Sequence, residues 1–318
     1  MERINKVALI GLGAIGSYFA DRLQDELGDG LRIIAGGERA DRLRRDGMVI
    51  NGEKRYFHIV SPEEKRDAAD LVIVSTKMTG FRQALEDIRN QIGSDTIIMT
   101  PLNGVESESV AAEYYARENI LYSLMRVSSV KDGNKVTFDP AASFVEFGDA
   151  VNEEEHLSPN VLLVKDLFDR TDICCKIRPD MLQAIWEKFV CNVSENQVAA
   201  VLDIPFGAWG SCEAANRLRV ATAAEVIKIA QKKGIVIDDH YAEEHLAHLK
   251  RVPAANKPST LQDILAGRKT EKDMFAGTVI RMGKELGIPT PYNEFLYDAL
   301  TVLEEKNAGS VEGTCRPS

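Results

Sequence analysis

The sequence predicts two domains of different class: an α/β N-terminal domain on a doubly wound, mostly parallel sheet, then an all-α C-terminal domain. Three observations predict this. Short apolar runs alternate with helical stretches through the first half. The first of those runs leads straight into a glycine-rich turn that opens a helix. Beyond Pro179-Asp180 the chain reads almost wholly as helix, which puts the boundary at 178/179 and the domains at 1–178 and 179–318.

Residues 6–10 form a buried strand that runs into Gly11-Leu12-Gly13-Ala14-Ile15-Gly16, and residues 17–27 form the helix. This is G-x-G-x-x-G in its required context. Gly11 permits the tight turn, Gly13 lets the backbone approach a pyrophosphate, and Gly16 lets helix and strand pack closely. The helix N-terminus offers N–H groups and a positive dipole to the same anion. A second strand covers residues 31–35, and its end normally selects the cofactor. There Ala35-Gly36-Gly37-Glu38-Arg39-Ala40-Asp41-Arg42 gives a split signal. Glu38 suits the ribose hydroxyl of NAD, Arg39 and Arg42 a 2′-phosphate, and solvated loop charges fit equally.

Residues 43–47 close a helix, and 48–61 alternate like a small hairpin extension. Residues 70–75 are another buried strand, so Thr76-Lys77 stands where ligands of doubly wound sheets bind, or else in solvent. A helix over 81–92 and a strand over 96–100 follow. The strand ends at Pro101-Leu102-Asn103-Gly104, a plain turn or a functional amide. Three strands, 121–130, 134–138 and 142–147, give the domain a partly antiparallel edge. A helix over 161–171 and a strand around Cys174-Cys175 complete it.

In the second half, helices cover 181–202, 214–233, 239–250, 273–286 and 292–306, with Gly234 and Gly287 as stops. In the first of them, Lys188, Asn192 and Asn196 recur every fourth residue. Each such step drifts only about 40° around an α-helix, so an ammonium and two amides form one polar stripe among Ile185, Phe189, Val190 and Val193. A lysine there can serve as a tuned acid and a point charge for an anion; a solvated helix face is the plain alternative. Ser259, with Gln262 three residues on, reads as a helix N-cap in a capping box. Glu271 opens the next helix, where the dipole favours carboxylates. The tail 307–318 reads as frayed.

Hydrophobic content of 44% and charged content of 28% are those of a soluble globular protein. A net charge of -10 argues against nonspecific nucleic-acid binding, so an anionic ligand needs a local positive site. Five cysteines without framework or metal-ligand spacing point to reduced thiols and no metal. No leader or membrane-length apolar run is seen, and the expected location is cytoplasmic. Apolar helices in the second half either form that domain's own core or bury a homodimer interface.

Taken together these motifs resemble the ketopantoate reductases (2-dehydropantoate 2-reductases) over nearly the whole chain. The resemblance rests on the opening glycine motif, Thr76-Lys77, Leu102-Asn103-Gly104 and Trp186-Glu187-Lys188-x-x-x-Asn192-x-x-x-Asn196. It continues in Ser259-Thr-Leu-Gln-Asp263-x-x-x-Gly267-Arg-x-Thr-Glu271 and Leu286-Gly-Ile-Pro289-Thr-Pro291-Tyr-Asn293. It implies a Rossmann domain joined to a helical substrate domain, with the active site in the cleft between, NADP as cofactor and a small 2-oxo acid as substrate. Lys188 is then the general acid, and Asn103, Asn192, Asn196 and Ser259 hold the substrate. Gly11, Leu12, Gly13, Ala14, Ile15, Gly16, Lys77, Asn103, Ser129 and Glu271 bind the cofactor.

Two departures bear on that expectation. Gly36 replaces the arginine the family often carries after the second strand, which admits NAD as well as NADP. Ser123-Leu-Met-Arg126-Val-Ser differs from the family's glycine- and threonine-rich version. The expected reaction is reduction of ketopantoate to pantoate. A D-2-hydroxyacid dehydrogenase of the same family, using NAD on another 2-oxo acid, is the first alternative. A non-catalytic NAD(P)-binding sensor is the second.

Overall fold

The computed structural model describes residues 2–127 and 129–312. Packing divides the chain into two units, residues 1–182 and 183–318. The first unit runs β1 (Val7–Ile10), α1 (Ala14–Leu27), β2 (Leu31–Ile34), α2 (Gly37–Asp46), β3 (Met48–Ile50), β4 (Glu53–Arg55), β5 (His58–Val60) and β6 (Leu71–Val74). It continues through α3 (Phe81–Asp87), β7 (Ile97–Met99), α4 (Ser107–Ala111), β8 (Ile120–Arg126), β9 (Ser129–Asp132), β10 (Lys135–Phe138), β11 (Phe144–Gly148), α5 (Pro159–Arg170) and β12 (Cys175–Ile177).

The main sheet has the order β12-β11-β8-β7-β6-β1-β2-β5. From β5 to β8 every pairing is parallel. The chain leaves β1 in one direction for β2 and returns to its other side for β6, which makes β1/β6 the switch point where such sheets bind ligands. Every residue of β1, β2, β6 and β7 is buried, as strands covered on both faces must be. One face packs on a cluster containing Phe19, Phe147 and Phe168, the other on one containing Phe81, Leu85 and Ile88. Each such side chain, fully buried, contributes about 1.5–3 kcal/mol. The charged exception, Arg32, is tied to Asp67 at 2.6 Å. Hydrogen bonds from Lys6 and Arg32 hold the Asp67 carboxyl down at about 2.

The expected antiparallel edge is present but built from other strands. The direction reverses once, between β8 and β11, and β12 is parallel to β11, so both edge strands run against the rest of the sheet. The expected strand 121–130 ends at Arg126, and β9 begins a separate four-stranded sheet, β4-β3-β10-β9. The expected hairpin over 48–61 is really β3 and β4 alone, while β5 joins the main sheet beside β2. Alternation over a few residues marks a strand but not its sheet. The helix over 81–92 is α-helical only to Asp87 and ends in a tighter 3-10 turn. Cys175 lies in β12, but Cys174 precedes it and is exposed.

In the second unit, α6 (Met181–Cys191) passes through a π-helical turn, Asn192–Asn196, into α7 (Gln197–Leu202). Then come α8 (Ala208–Ser211), α9 (Glu213–Lys232), α10 (Tyr241–Leu249), α11 (Ser259–Leu265), a second π turn at Asp273–Gly277, α12 (Thr278–Leu286) and α13 (Pro291–Asn307). The long α9 is the hub, touching α7, α8, α10, α12, α13 and the first π turn. Its buried Glu225 accepts the N–H groups of Tyr292 and Asn293 at 2.8 and 3.1 Å, capping the start of α13 where the dipole favours a carboxylate. Gly287 ends α12 in the left-handed conformation, φ 69°. Among the described residues no helix is long and apolar enough to cross a membrane.

Candidate active site

The glycine turn between β1 and α1 sits at the switch point, and its three glycines answer to different demands. Gly11 has φ +100°, and a Cβ there would lie 2.7 Å from the Ser75 backbone. A Cβ on Gly16 would overlap the Gly11 carbonyl oxygen and lie 2.5 Å from the Ser75 hydroxyl. At Gly13 the nearest protein atom to a Cβ is the Ser75 carbonyl oxygen, 3.9 Å away. Internal packing therefore leaves room for a side chain at Gly13, and glycine there suits a group that approaches from outside. Gly13 is also the N-cap of α1 and supplies no side-chain cap, so the helix opens towards an anion. These residues fit a dinucleotide pyrophosphate. Leu12 is buried, while Ala14 and Ile15 are half-buried in the helix's first turn.

Two more expected residues follow strands of the same parallel sheet. Lys77 comes three residues after β6 and is exposed; beside it the Thr76 hydroxyl is buried with no hydrogen-bond partner. Asn103 follows β7, half-buried, before Gly104 at φ +97°. Just after that loop, Glu108 of α4 accepts from the Ser107 hydroxyl at 3.0 Å and the Ser123 N–H at 3.4 Å. Burial pushes its carboxyl up, towards the neutral form. Ser129 opens β9 in the smaller sheet, opposite Phe138.

In the second unit Lys188, Asn192 and Asn196 are all half-buried on one continuous helical run, above a core that includes Trp186 and Phe189. The sequence predicts a plain α-helix here, whereas the structure inserts the π turn between Asn192 and Asn196. A π turn holds more residues than an α turn. The step from Asn192 to Asn196 therefore advances less and offsets the drift between Lys188 and Asn192. Asn196 Nδ2 donates to Asn192 Oδ1 at 3.3 Å and to Ser259 Oγ at 3.4 Å. Three of the four expected substrate residues are thus joined in one polar string. Ser259 is not the N-cap expected of it: Pro258 holds that position, Ser259 is the first helical residue, and Gln262 bonds the Lys257 carbonyl instead. Proline before the helix fixes the entry, which frees the serine hydroxyl for Asn196.

Several supporting residues escape sequence reasoning. Gln197, fully buried, donates to the Val193 carbonyl at 3.0 Å and accepts the Ala276 N–H at 3.2 Å. It so links the two π turns. Glu271 stands just before the second turn and its carbonyl accepts from Phe275 at 3.0 Å. Its neighbours are both held by Glu304 of α13, which accepts from the Thr270 N–H and hydroxyl at 2.8 and 2.6 Å and from Lys272 Nζ at 2.6 Å. Burial pushes the Glu304 carboxyl up, but those hydrogen bonds prevail and leave it below the usual carboxylate range. A polar residue inside an apolar run, as Gln197 is, was the available signal; Glu304, more than thirty residues from its partners, gave none.

On the same run, Cys191 and Glu195 meet His245 of α10. His245 Nδ1 lies 2.9 Å from Glu195 and 3.6 Å from the Cys191 sulfur. Among the described residues this is the one group of donors close enough to share a metal ion. Buried Arg219, 3.7 Å from Glu195, already supplies the balancing positive charge, so the cluster reads as a closed ion-pair network.

A glycine turn of this build at the switch point of a parallel sheet defines a dinucleotide-binding protein of the Rossmann type. Comparison with known proteins narrows the class: residues 7–151 match the family model described as ketopantoate reductase PanE/ApbA, and residues 180–304 its C-terminal counterpart. The chain belongs to the ketopantoate reductase family and is an NAD(P)-binding oxidoreductase. A 2-dehydropantoate 2-reductase of Streptococcus pyogenes is 26% identical, covering 94% of this chain and 97% of that protein. One from Aquifex aeolicus is 25% identical over 92% and 95%. Among solved structures, D-mandelate dehydrogenase with NADH and anilino(oxo)acetate aligns with TM-score 0.83 at 24% identity, covering 95% of this chain and 99% of that one. A dimeric ketopantoate reductase from Staphylococcus aureus aligns with TM-score 0.75 at 19% identity, over 95% and 99%.

Proposed function

We propose that the chain reduces the C2 carbonyl of a small 2-oxo acid to the hydroxyl, with Lys188 as general acid and ketopantoate as the first candidate substrate. The observation that carries this is the half-buried run Lys188, Asn192, Asn196, tied through Asn196 to Ser259. Four groups that handle a carbonyl, a hydroxyl and a carboxylate share one surface of the helical unit. A bound reduced nicotinamide supplies the hydride. The protein's part is electrostatic and protonic. Negative charge grows on the carbonyl oxygen as the hydride arrives, and an ammonium beside it stabilises that charge more than the neutral ketone. Lys188 then gives its proton to that oxygen, leaving a neutral amine that solvent reprotonates. Asn192 and Asn196 offer uncharged donors and acceptors, and Ser259 adds a hydroxyl that turns to suit either.

In this reading residues 1–178 carry the cofactor and residues 179–318 the substrate. Lys77, Asn103, Ser129 and Glu271 complete the cofactor contacts, Asn103 serving the substrate as well. The protein works in the cytoplasm as a homodimer. The exposed Phe295 and Val302, seven residues apart on α13, offer an apolar stripe for the second copy.

A second reading is favoured by the changed sequence Ser123–Arg126 and by the likeness to a mandelate dehydrogenase: a D-2-hydroxyacid dehydrogenase acting on a bulkier 2-oxo acid. Steady-state rates with ketopantoate and with branched and aryl 2-oxo acids, each with NADPH and NADH, separate the two. Ketopantoate is expected to give the highest kcat/KM. A higher value for an aryl acid moves the assignment to the second reading. Tight coenzyme binding with no turnover of any acid leaves only a sensor.

A further inference from the structure

Four glutamates are buried among the described residues, and three of them have their charge met. Glu146 lies 3.2 Å from Arg126 and 3.6 Å from Arg178. Glu195 lies 2.9 Å from His245 and 3.7 Å from Arg219. Glu225 accepts three N–H groups of Tyr292 and Asn293. Glu108 of α4 is the fourth, 3% exposed, and among the described residues it forms no ion pair. Its carboxyl meets only the Ser107 hydroxyl at 3.0 Å and the Ser123 N–H at 3.4 Å. A carboxylate buried without a cation is costly enough that the group keeps its proton instead.

That proton completes a chain of hydrogen bonds. Ser107 Oγ lies 3.0 Å from Glu108 Oε2 and 3.5 Å from the Thr100 carbonyl oxygen. A serine has one proton to give, so it cannot serve both acceptors fully. With Glu108 neutral the first bond reverses: the acid O–H donates to Ser107 Oγ, and Ser107 turns its own proton to Thr100. The other carboxyl oxygen, Oε1, still accepts the Ser123 N–H of β8. The same Thr100 carbonyl also accepts the Leu102 N–H at 2.6 Å. Thr100 just after β7 and Ser107 at the start of α4 are therefore tied together, and Ser123 anchors the tie to β8. Between those two ends lies the loop 101–106, with Asn103 in it beside Gly104 at φ +97°.

We propose that Glu108 is a positioning residue that works as a neutral acid, fixing through Ser107 and Thr100 the loop that carries Asn103. The inference rests on the proposed role of Asn103 at coenzyme and substrate. A loop that shifts by an ångström misplaces that amide, and such a misplacement costs up to about 10²-fold in rate. Glutamine has the shape of the neutral acid. It brings an N–H for Ser107 and a carbonyl for Ser123, but it cannot replace a carboxylate that works by its charge. The two roles therefore separate on one substitution.

The test is a mutant cycle on the whole protein with Glu108→Ala, Glu108→Gln, Asn103→Ala and the double variant Glu108→Ala/Asn103→Ala. Both kcat and KM are measured with NADPH and NADH, on whichever of ketopantoate and phenylglyoxylate the native chain reduces faster, and circular dichroism confirms folding. Glu108→Ala should lower kcat/KM roughly tenfold to 100-fold, and Glu108→Gln should stay within about threefold of the native chain. The double variant should stay within about threefold of Asn103→Ala alone, because residues that act through one another do not add. A double variant whose loss is the product of the two single losses overturns the proposal. So does Glu108→Gln failing as badly as Glu108→Ala. Should Glu108→Ala not fold, Ser107→Ala replaces it in the cycle, with a loss of about threefold or more and the same lack of additivity expected. Asn103→Ala with native kcat/KM removes the role of Asn103 and takes this proposal with it. A native chain that reduces neither acid overturns the reductase reading and this one together, whereas additive losses in an active enzyme overturn this one alone.

Discussion

Gly13 and Gly16 stand three residues apart in one turn, and the packing requires glycine at Gly16 but leaves room for a Cβ at Gly13. Gly16 is closed in by the Gly11 carbonyl and the Ser75 hydroxyl, whereas Gly13 faces open space. Gly16→Ala should therefore cost about 1–3 kcal/mol of stability through overpacking. Gly13→Ala should cost under about 1 kcal/mol yet weaken coenzyme binding roughly tenfold or more. Urea unfolding and a coenzyme titration on both variants check this, and Gly13→Ala binding as well as the native chain contradicts it. At this scale the sequence was informative where a motif fixes both spacing and context, as in residues 11–16. It was uninformative at Lys131, which reaches Leu12 from a strand 119 positions away. It misread Ser259, because a proline one residue earlier takes the cap and nothing in the local pattern announces the contact with Asn196.

Between residues and domains lie the two π turns, and they give the helical unit its polar surface. A π turn releases backbone groups from the regular ladder and is tolerated where something else satisfies them. Gln197 does so for both turns at once, through the Val193 carbonyl and the Ala276 N–H. Gln197→Met keeps the volume but abandons both groups, at an expected cost of about 2–4 kcal/mol. If the turns set the spacing of Asn192, Asn196 and Glu271, the KM for the 2-oxo acid should also rise by about tenfold or more. A variant that loses stability but keeps its KM would make Gln197 purely structural. Helix positions were legible here because four-residue spacing and apolar stripes persist through a π insertion. The insertion itself was not, since it changes the angle per residue without changing which residues are polar.

For the whole molecule, the order of elements was legible and the sheet assignments were less so. Continuous apolar runs such as Val7–Ile10 and Leu71–Val74 announce strands buried on both faces, and the helical second half follows from its periodicity. Which strands pair depends on partners far along the chain, so β5 and β10 entered sheets that local pattern could not name. The same holds for single contacts across elements: Lys131 of β9 donates to the Leu12 carbonyl of the glycine turn at 2.8 Å, a pairing that no local pattern announces. The account depends most on Lys188 giving a proton to the reduced carbonyl, and the kcat of Lys188→Ala on the best 2-oxo acid is the direct measure. A folded variant whose kcat falls by roughly 10²–10⁴, the range for loss of a general acid, with coenzyme affinity unchanged, is the predicted result. A folded variant that turns over at the native rate would contradict it.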